Sequence, residues 1–188
     1  MANISDIRNG LTFRYNNDIY SVTEFQHVKV GRGAAFVRVK MKSLTTGKVI
    51  ENSFNNSARI DDIRVERLQF QFLYEEGDSL VFMNTESYEQ VYIGKVMIDN
   101  RDLLMEGEMC EVLFNASDDT PLTVELAPNV VRAVTYTEPG LKGDTATNTL
   151  KPATVEGGAE IRVPLFINIG DKVKIDTATK TYIERVKS

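Results

Sequence analysis

Gly107-Glu108-Met109-Cys110-Glu111-Val112 is matched 63 residues further on by Gly170-Asp171-Lys172-Val173-Lys174-Ile175. Both stretches read glycine, acid, then apolar residues at alternate positions, which is the period of a strand with one buried face entered from a tight turn. Arg67 in VERLQFQF has a similar counterpart in Arg132 of VVRAVTY. Residues 64–128 and 129–188 therefore read as two copies of one small barrel, with residues 1–63 as a third unit of similar size.

The rest of the chain agrees with a strand-rich fold. Short β-branched and aromatic runs recur (LTFRY, IYSVTEF, AAFVRVKMKSL, LQFQFLY, SLVFM, LTVEL, IRVPLFI, TYIERV), and YNND, TTGK, EEGD and IGDK separate them as turn signals. No long 3.6-residue periodicity competes. The expectation is an all-β chain of three small barrels in tandem: residues 1–63, 64–128 and 129–188.

Of the 188 residues 42% are hydrophobic and 26% charged, the composition of an ordered soluble protein. No stretch approaches the roughly 20 apolar residues of a membrane span, and MANISDIRNG lacks the apolar core of a signal peptide, so a cytoplasmic protein with no membrane partner is expected. A single cysteine, Cys110, makes no internal disulfide and reads as a small core residue. His27, the only histidine, excludes a multi-histidine metal site, and no nucleophile motif accompanies it. Neither an enzyme nor a cofactor nor a metal is expected.

Charge is distributed unevenly. Residues 1–63 carry nine Lys and Arg against six Asp and Glu, residues 64–128 four against fourteen, and residues 129–188 nine against seven. Two basic ends thus flank an acidic middle, and this asymmetry says more about a nucleic-acid partner than the overall net charge of −5. In Val37-Arg38-Val39-Lys40-Met41-Lys42 the period of two turns Val37, Val39 and Met41 inward and Arg38, Lys40 and Lys42 outward, a basic stripe suited to a phosphate backbone or an ordinary solvated face. Lys29 and Arg32 extend it into Lys29-Val30-Gly31-Arg32-Gly33-Ala34-Ala35-Phe36. Gly31 and Gly33 bring no side chains, so this tip is narrow enough to enter a crevice with Arg32 leading. A permanently protonated arginine neither attacks nor acts as a base; it holds a phosphate, ribose or base in position.

These residues resemble bacterial translation elongation factor P along the whole chain: the tip KVGRGAAF, the central YEEGDSLVFMNTESYEQ, and above all YTEPGLKGDTATNTLKPATVEGGAEIRVPLFINIGDKVKIDTATKTYIERV. In the last stretch Lys151, Ala153, Gly158, Ile161, Val163, Pro164, Ile167 and Gly170 stand at the spacings of the family signature. The resemblance implies an N-terminal SH3-like barrel of the KOW type followed by two OB-fold barrels, in a bent, tRNA-like shape. It further implies a monomer that binds both ribosomal subunits between the peptidyl and exit sites, touches the CCA end of peptidyl-tRNA through Arg32, and relieves stalling at consecutive prolines. The same resemblance turns the third barrel toward the small subunit, with Gly143, Asp144 and Thr145 near the exit-site codon of the mRNA. In TYIERV, Tyr182 and Arg185 alternate with residues expected to face the core, which leaves Tyr182 to stack on a base or ribose, or to close the barrel, and Arg185 to pair with phosphate. Many family members carry lysine where this chain has Arg32 and proline where it has Val30. One branch has a rhamnosylated tip arginine, so an arginine-modifying glycosyltransferase is a candidate partner and an unmodified arginine stays open. An elongation factor P-like paralogue, an RNA-binding module outside the ribosome, and a carbohydrate-binding or scaffolding barrel are the alternatives.

Overall fold

Strict alternation decides which face each strand buries. The computed structural model describes residues 2–29, 31, 35–139 and 149–187. In it Val37, Val39 and Met41 have no solvent exposure while Arg38 and Lys40 between them point outward. The first sheet contains β1 (Ala2–Asn3), β2 (Thr12–Tyr15), β3 (Asp18–Val28), β4 (Phe36–Ser43), β5 (Val49–Asn55) and β6 (Arg59–Asp62), in the order β1-β6-β2-β3-β4-β5. Its core gathers Ile4, Phe13, Val22 and Ile60 with the inward residues of β4.

The second sheet contains β7 (Val65–Glu76), β8 (Ser79–Asn84), β9 (Gln90–Gly94), β10 (Met109–Asn115) and β11 (Thr120–Leu126). The third contains β12 (Asn129–Thr137), β13 (Leu150–Val155), β14 (Glu160–Pro164), β15 (Lys172–Asp176) and β16 (Thr181–Val186). Their strand orders, β11-β10-β7-β8-β9 and β14-β13-β12-β15-β16, differ only in the direction in which they are read: each first strand lies at the centre, between its second and fourth. The outer strands meet in both, β9 against β11 and β14 against β16, curling each sheet toward a closed barrel. The all-β, three-barrel expectation holds.

The glycine-acid echo is a repeated piece of structure. Gly107 and Gly170 take φ of +87° and +89°, the left-handed region that favours glycine. Gly107 N–H donates to the Phe72 carbonyl at 2.7 Å and Phe72 N–H to the Glu108 carbonyl at 2.9 Å; Gly170 with Val134, and Val134 with Asp171, repeat the pair at 2.8 and 2.9 Å. The acids also act alike: Glu108 accepts from Met105 N–H at 3.0 Å and Asp171 from Asn168 N–H at 2.8 Å.

The arginine half of the echo is not structural. Strand register pairs Cys110 with Phe70 and Val173 with Arg132, so the counterpart of Arg132 is Phe70 and not Arg67. Arg67 is exposed beside Glu111 and Glu125, whereas Arg132 is 5% exposed at the joint between two barrels. There its Nη2 donates to the Leu103 carbonyl and, at 2.6 Å, to Glu108 Oε2.

Residues 95–104, between β9 and β10, touch all three barrels. Lys42 of the first barrel pairs with Asp99. Asn100, held at φ +54°, donates from Nδ2 to the carbonyls of Thr177 at 2.7 Å and Ala178 at 3.2 Å. Lys180 Nζ lies 2.6 Å from Asp102 Oδ2, and Leu103 is buried in the core of the third barrel. Gly157 approaches the same segment so closely that a Cβ would lie 2.4 Å from the Asp102 carbonyl oxygen.

Two neighbouring glycines isolate that approach. Gly157 and Gly158 both have positive φ, +89° and +83°, but only Gly157 faces a neighbour. Gly158→Ala is expected to cost about 1–2 kcal/mol of backbone strain. Gly157→Ala is expected to cost at least about 1 kcal/mol more, from displaced backbone. Thermal melting of the two variants gives the comparison; equal losses would mean that the joint yields without resistance.

Candidate nucleic-acid interface

The β3–β4 hairpin is defined down to its last pair, Val28 opposite Phe36. Residues 29–35 connect those strands, and Arg32 is the central residue of the connection. Arg32 and Gly33 lie outside the described residues, so the hairpin fixes where the tip begins and ends. Lys29 is exposed at its base. Gly31 is exposed in a turn, has a φ outside the left-handed region, and has open space where a Cβ would be. Its backbone does not require glycine. What glycine supplies there is slimness.

β3 supports the tip unusually. It pairs with β2 only through Asp18 to Ser21, and beyond the irregularity at Thr23 it has β4 as its ladder partner. Thr23 to His27 are all exposed, with Phe25 and His27 edge to face at 5.6 Å. His27 is thus a solvent-facing strand residue. At the other end of β3, Asp18 anchors the barrel by accepting from Ser43 Oγ at 2.6 Å, from Ile19 N–H at 2.8 Å and from Thr45 Oγ1. Burial pushes its carboxyl up, but these bonds outweigh it and hold the group below the usual carboxylate range.

The three stripe cations have acidic partners. Arg38 Nε stands 3.5 Å from Glu51, and Lys40 Nζ 3.1 Å from Glu24, both exposed pairs. Exposed pairs of this kind contribute at most about 1 kcal/mol, so a phosphate can displace the carboxylate. Lys42 is different. Its side chain is 14% exposed and engaged with Asp99 of the central barrel. The surface that follows the hairpin is therefore Lys29, Arg38 and Lys40, with Lys42 serving the joint.

The predicted far-end residues lie on another barrel. Gly143, Asp144 and Thr145 fall outside the described residues. Tyr182 and Arg185 are both on β16, Arg185 with Nη1 3.6 Å from Asp171 Oδ2. Alternation across TYIERV suggests that Tyr182 faces outward, but its ring rests on the core of the third barrel while Ile183 is 44% exposed. The cause is a bulge: Ile175 pairs with Tyr182 and Lys174 with Glu184, leaving Ile183 as the extra residue. Cys110 is buried, and desolvation, with a smaller effect of Glu108, pushes its thiol up to about 12. Such a thiol is inert. Among the described residues no group of three or more His, Cys, Asp or Glu is arranged to hold a metal, and no helix is long and apolar enough to cross a membrane.

Three family models match in succession. Residues 3–60 match the elongation factor P (EF-P) KOW-like domain, residues 65–124 the elongation factor P (EF-P) OB domain, and residues 130–185 elongation factor P, C-terminal. Elongation factor P of Christiangramia forsetii is 56% identical over 187 residues, and that of Flavobacterium johnsoniae 57% over 187, each covering 100% of both chains. Elongation factor P of Bacteroides fragilis is 48% identical over 188 residues, again at full coverage of both. The chain belongs to the elongation factor P family. It is a translation factor of that family, and the KOW and OB assignments name the first barrel and the second.

Sequence reasoning missed the joint. Asp99, Asn100, Asp102, Glu108, Gly157 and Lys180 carry it, and the turn-forming residues Asp99-Asn100 and the pair Gly157-Gly158 were the available signals in the sequence.

The stripe divides accordingly. Neutralising Arg38 or Lys40 is expected to lower the log-log salt slope of ribosome binding by about one each, as loss of a phosphate contact does. Lys42→Met is expected to leave the slope nearly unchanged while lowering the melting temperature. An equal slope change for all three would return Lys42 to the binding face.

Proposed function

We propose that the protein binds the ribosome between the peptidyl and exit sites and positions the CCA end of peptidyl-tRNA with Arg32, stimulating peptide bond formation at consecutive prolines. The observation that carries this reading is the hairpin: β3, exposed from Thr23 to His27 and anchored at Asp18 and Ser43, runs out beside β4 to a short connection, residues 29–35, whose central residue in the sequence is a permanent cation. Family membership supplies the ribosome as partner and, with it, a site of action in the cytoplasm. The three units 1–63, 64–128 and 129–188 serve as tip carrier, spacer and small-subunit contact.

The chemistry remains with the ribosome. Proline is a stiff donor and a poor acceptor, and a peptidyl-tRNA that drifts from attack geometry loses the proximity on which transfer depends. A guanidinium against the CCA end restores that geometry by ion pairing and hydrogen bonding, and takes no proton itself. On this reading the factor lowers the entropic part of the barrier and no residue of the chain is a catalyst. Gly143, Asp144 and Thr145, with Arg185, face the exit-site codon and small-subunit RNA. A glycosyl group on Arg32 would lengthen its reach, and the intact mass of the native protein reports whether one is present.

Arg32→Ala is expected to leave the melting temperature within about 1 °C, because a tip side chain buries little. The same variant is expected to abolish rescue of a Pro-Pro-Pro reporter in a purified translation system. Arg32→Lys keeps the charge but loses the planar fork, and is expected to give intermediate rescue. Normal synthesis through the proline run with Arg32→Ala would overturn the assignment.

A further inference from the structure

The second and third barrels share a topology but differ in what covers the seam where their outer strands meet. In the central barrel the turn Lys95–Met97 covers it: Thr123 Oγ1 donates to the Met97 carbonyl at 2.5 Å, and Met97 Sδ lies 3.7 Å from where a Cβ on Gly94 would stand. In the third barrel a cleft of about 550 Å³ lies open at the corresponding seam of β14 and β16. Leu150, Pro152, Glu160, Arg162, Lys180 and Tyr182 line it.

The cleft combines a flat ring, an apolar wall and positive charge. Tyr182 rests on the barrel core, which fixes its ring, and its hydroxyl makes no hydrogen bond among the described residues. Leu150 is 44% exposed on the β13 side. Arg162 is exposed and has no acidic partner among the described residues, unlike the hairpin cations. The rim is held in place from three directions. Asp176 accepts from Thr179 N–H at 2.9 Å and Oγ1 at 2.8 Å, Thr177 Oγ1 donates to the Ala127 carbonyl at 2.6 Å, and Asn100 caps the same turn. Lys180 is fixed in a left-handed conformation, φ +53°, with its ammonium on Asp102.

OB-type barrels take single-stranded nucleic acid across their second and third strands and the loop between the fourth and fifth. β13, β14 and the β15–β16 turn are those elements here. We infer that this cleft takes one nucleotide of a single-stranded RNA, the base against Tyr182 and Leu150 and the adjoining phosphate on Arg162. Glu160 stands where it can accept from an exocyclic amine. A cleft with one flat aromatic ring and one arginine free of acidic partners among the described residues suits a base and its phosphate better than an apolar peptide. The central barrel, with four Lys and Arg against fourteen Asp and Glu in residues 64–128, has neither the opening nor the charge.

This inference rests on the reading of the third barrel as the RNA-facing end, and its test omits the ribosome and the tip, so the two can fail separately. Hexaadenylate is titrated into the full-length protein while backbone amide signals are followed. Residues 150–152, 160–162 and 180–182 are expected to shift, and residues 91–94 and 122–124 of the central barrel are not. Arg162→Glu, an exposed change, is expected to weaken binding by about fivefold or more without altering the melting temperature, and Tyr182→Leu, which keeps an apolar contact with the core, to weaken it similarly. Shifts confined to the β3–β4 hairpin, unchanged affinity in Arg162→Glu, or occupation of the cleft by hexaproline but not by hexaadenylate would each overturn the inference.

Discussion

The Arg132 guanidinium, almost wholly buried, closes the joint on which the outer parts of the molecule depend. It grips the Leu103 carbonyl and the Glu108 carboxylate of the central barrel while its own strand begins the next. A buried charge of this kind adds little net stability when paired, but removing its partner costs about 3–5 kcal/mol, so it specifies one arrangement more than it strengthens the fold. Glu108 is also the acid of the repeated turn, holding Met105 N–H. One carboxylate thus completes the central barrel and ties it to the third. The same segment reaches the first barrel through Asp99 and Lys42, so the hairpin tip and the far cleft are both referred to residues 95–104.

That arrangement gives the charge distribution a reason. The central barrel makes few demands on a nucleic-acid partner and instead supplies acids to its neighbours' lysines and arginine: Asp99 to Lys42, Asp102 to Lys180, Glu108 to Arg132. Of the other cations, Arg38 and Lys40 of the first barrel and Arg162 of the third face outward, whereas Lys151 is buried with its ammonium on the Glu138 carbonyl. An acidic spacer between basic ends discourages indiscriminate contact with a polyanion along its length.

The barrels were legible because alternation and turn chemistry are local. β4 could be assigned face by face from VRVKMK, and the two glycine-acid turns could be matched because each needs a left-handed glycine followed by an acceptor for the loop's own N–H groups. Register is not local. Nothing in the sequence says that Arg132 is the counterpart of Phe70, and a shift of three residues turned a buried clasp into an imagined repeat of Arg67. The bulge at Ile183 defeated alternation in the same way and put Tyr182 on the core. The joint escaped notice because its turns are three residues long and their partners lie up to 78 residues away. Lys42 shows the consequence most plainly: from sequence it is one of three equal cations, and only the neighbouring barrel distinguishes it.

In the proposed function one span of three barrels presents Arg32 to the CCA end while the third barrel meets small-subunit RNA. Photo-crosslinking from residue 32 and from residue 162, in ribosomes stalled on a proline run, tests both ends on the same particle. Attachment of residue 32 to the terminal adenosine of peptidyl-tRNA and of residue 162 to mRNA or small-subunit RNA is expected, with both lost together in Glu108→Ala. Attachment of residue 32 to ribosomal RNA away from the CCA end, or a tip crosslink that survives in full when the joint is broken, would contradict the proposed function.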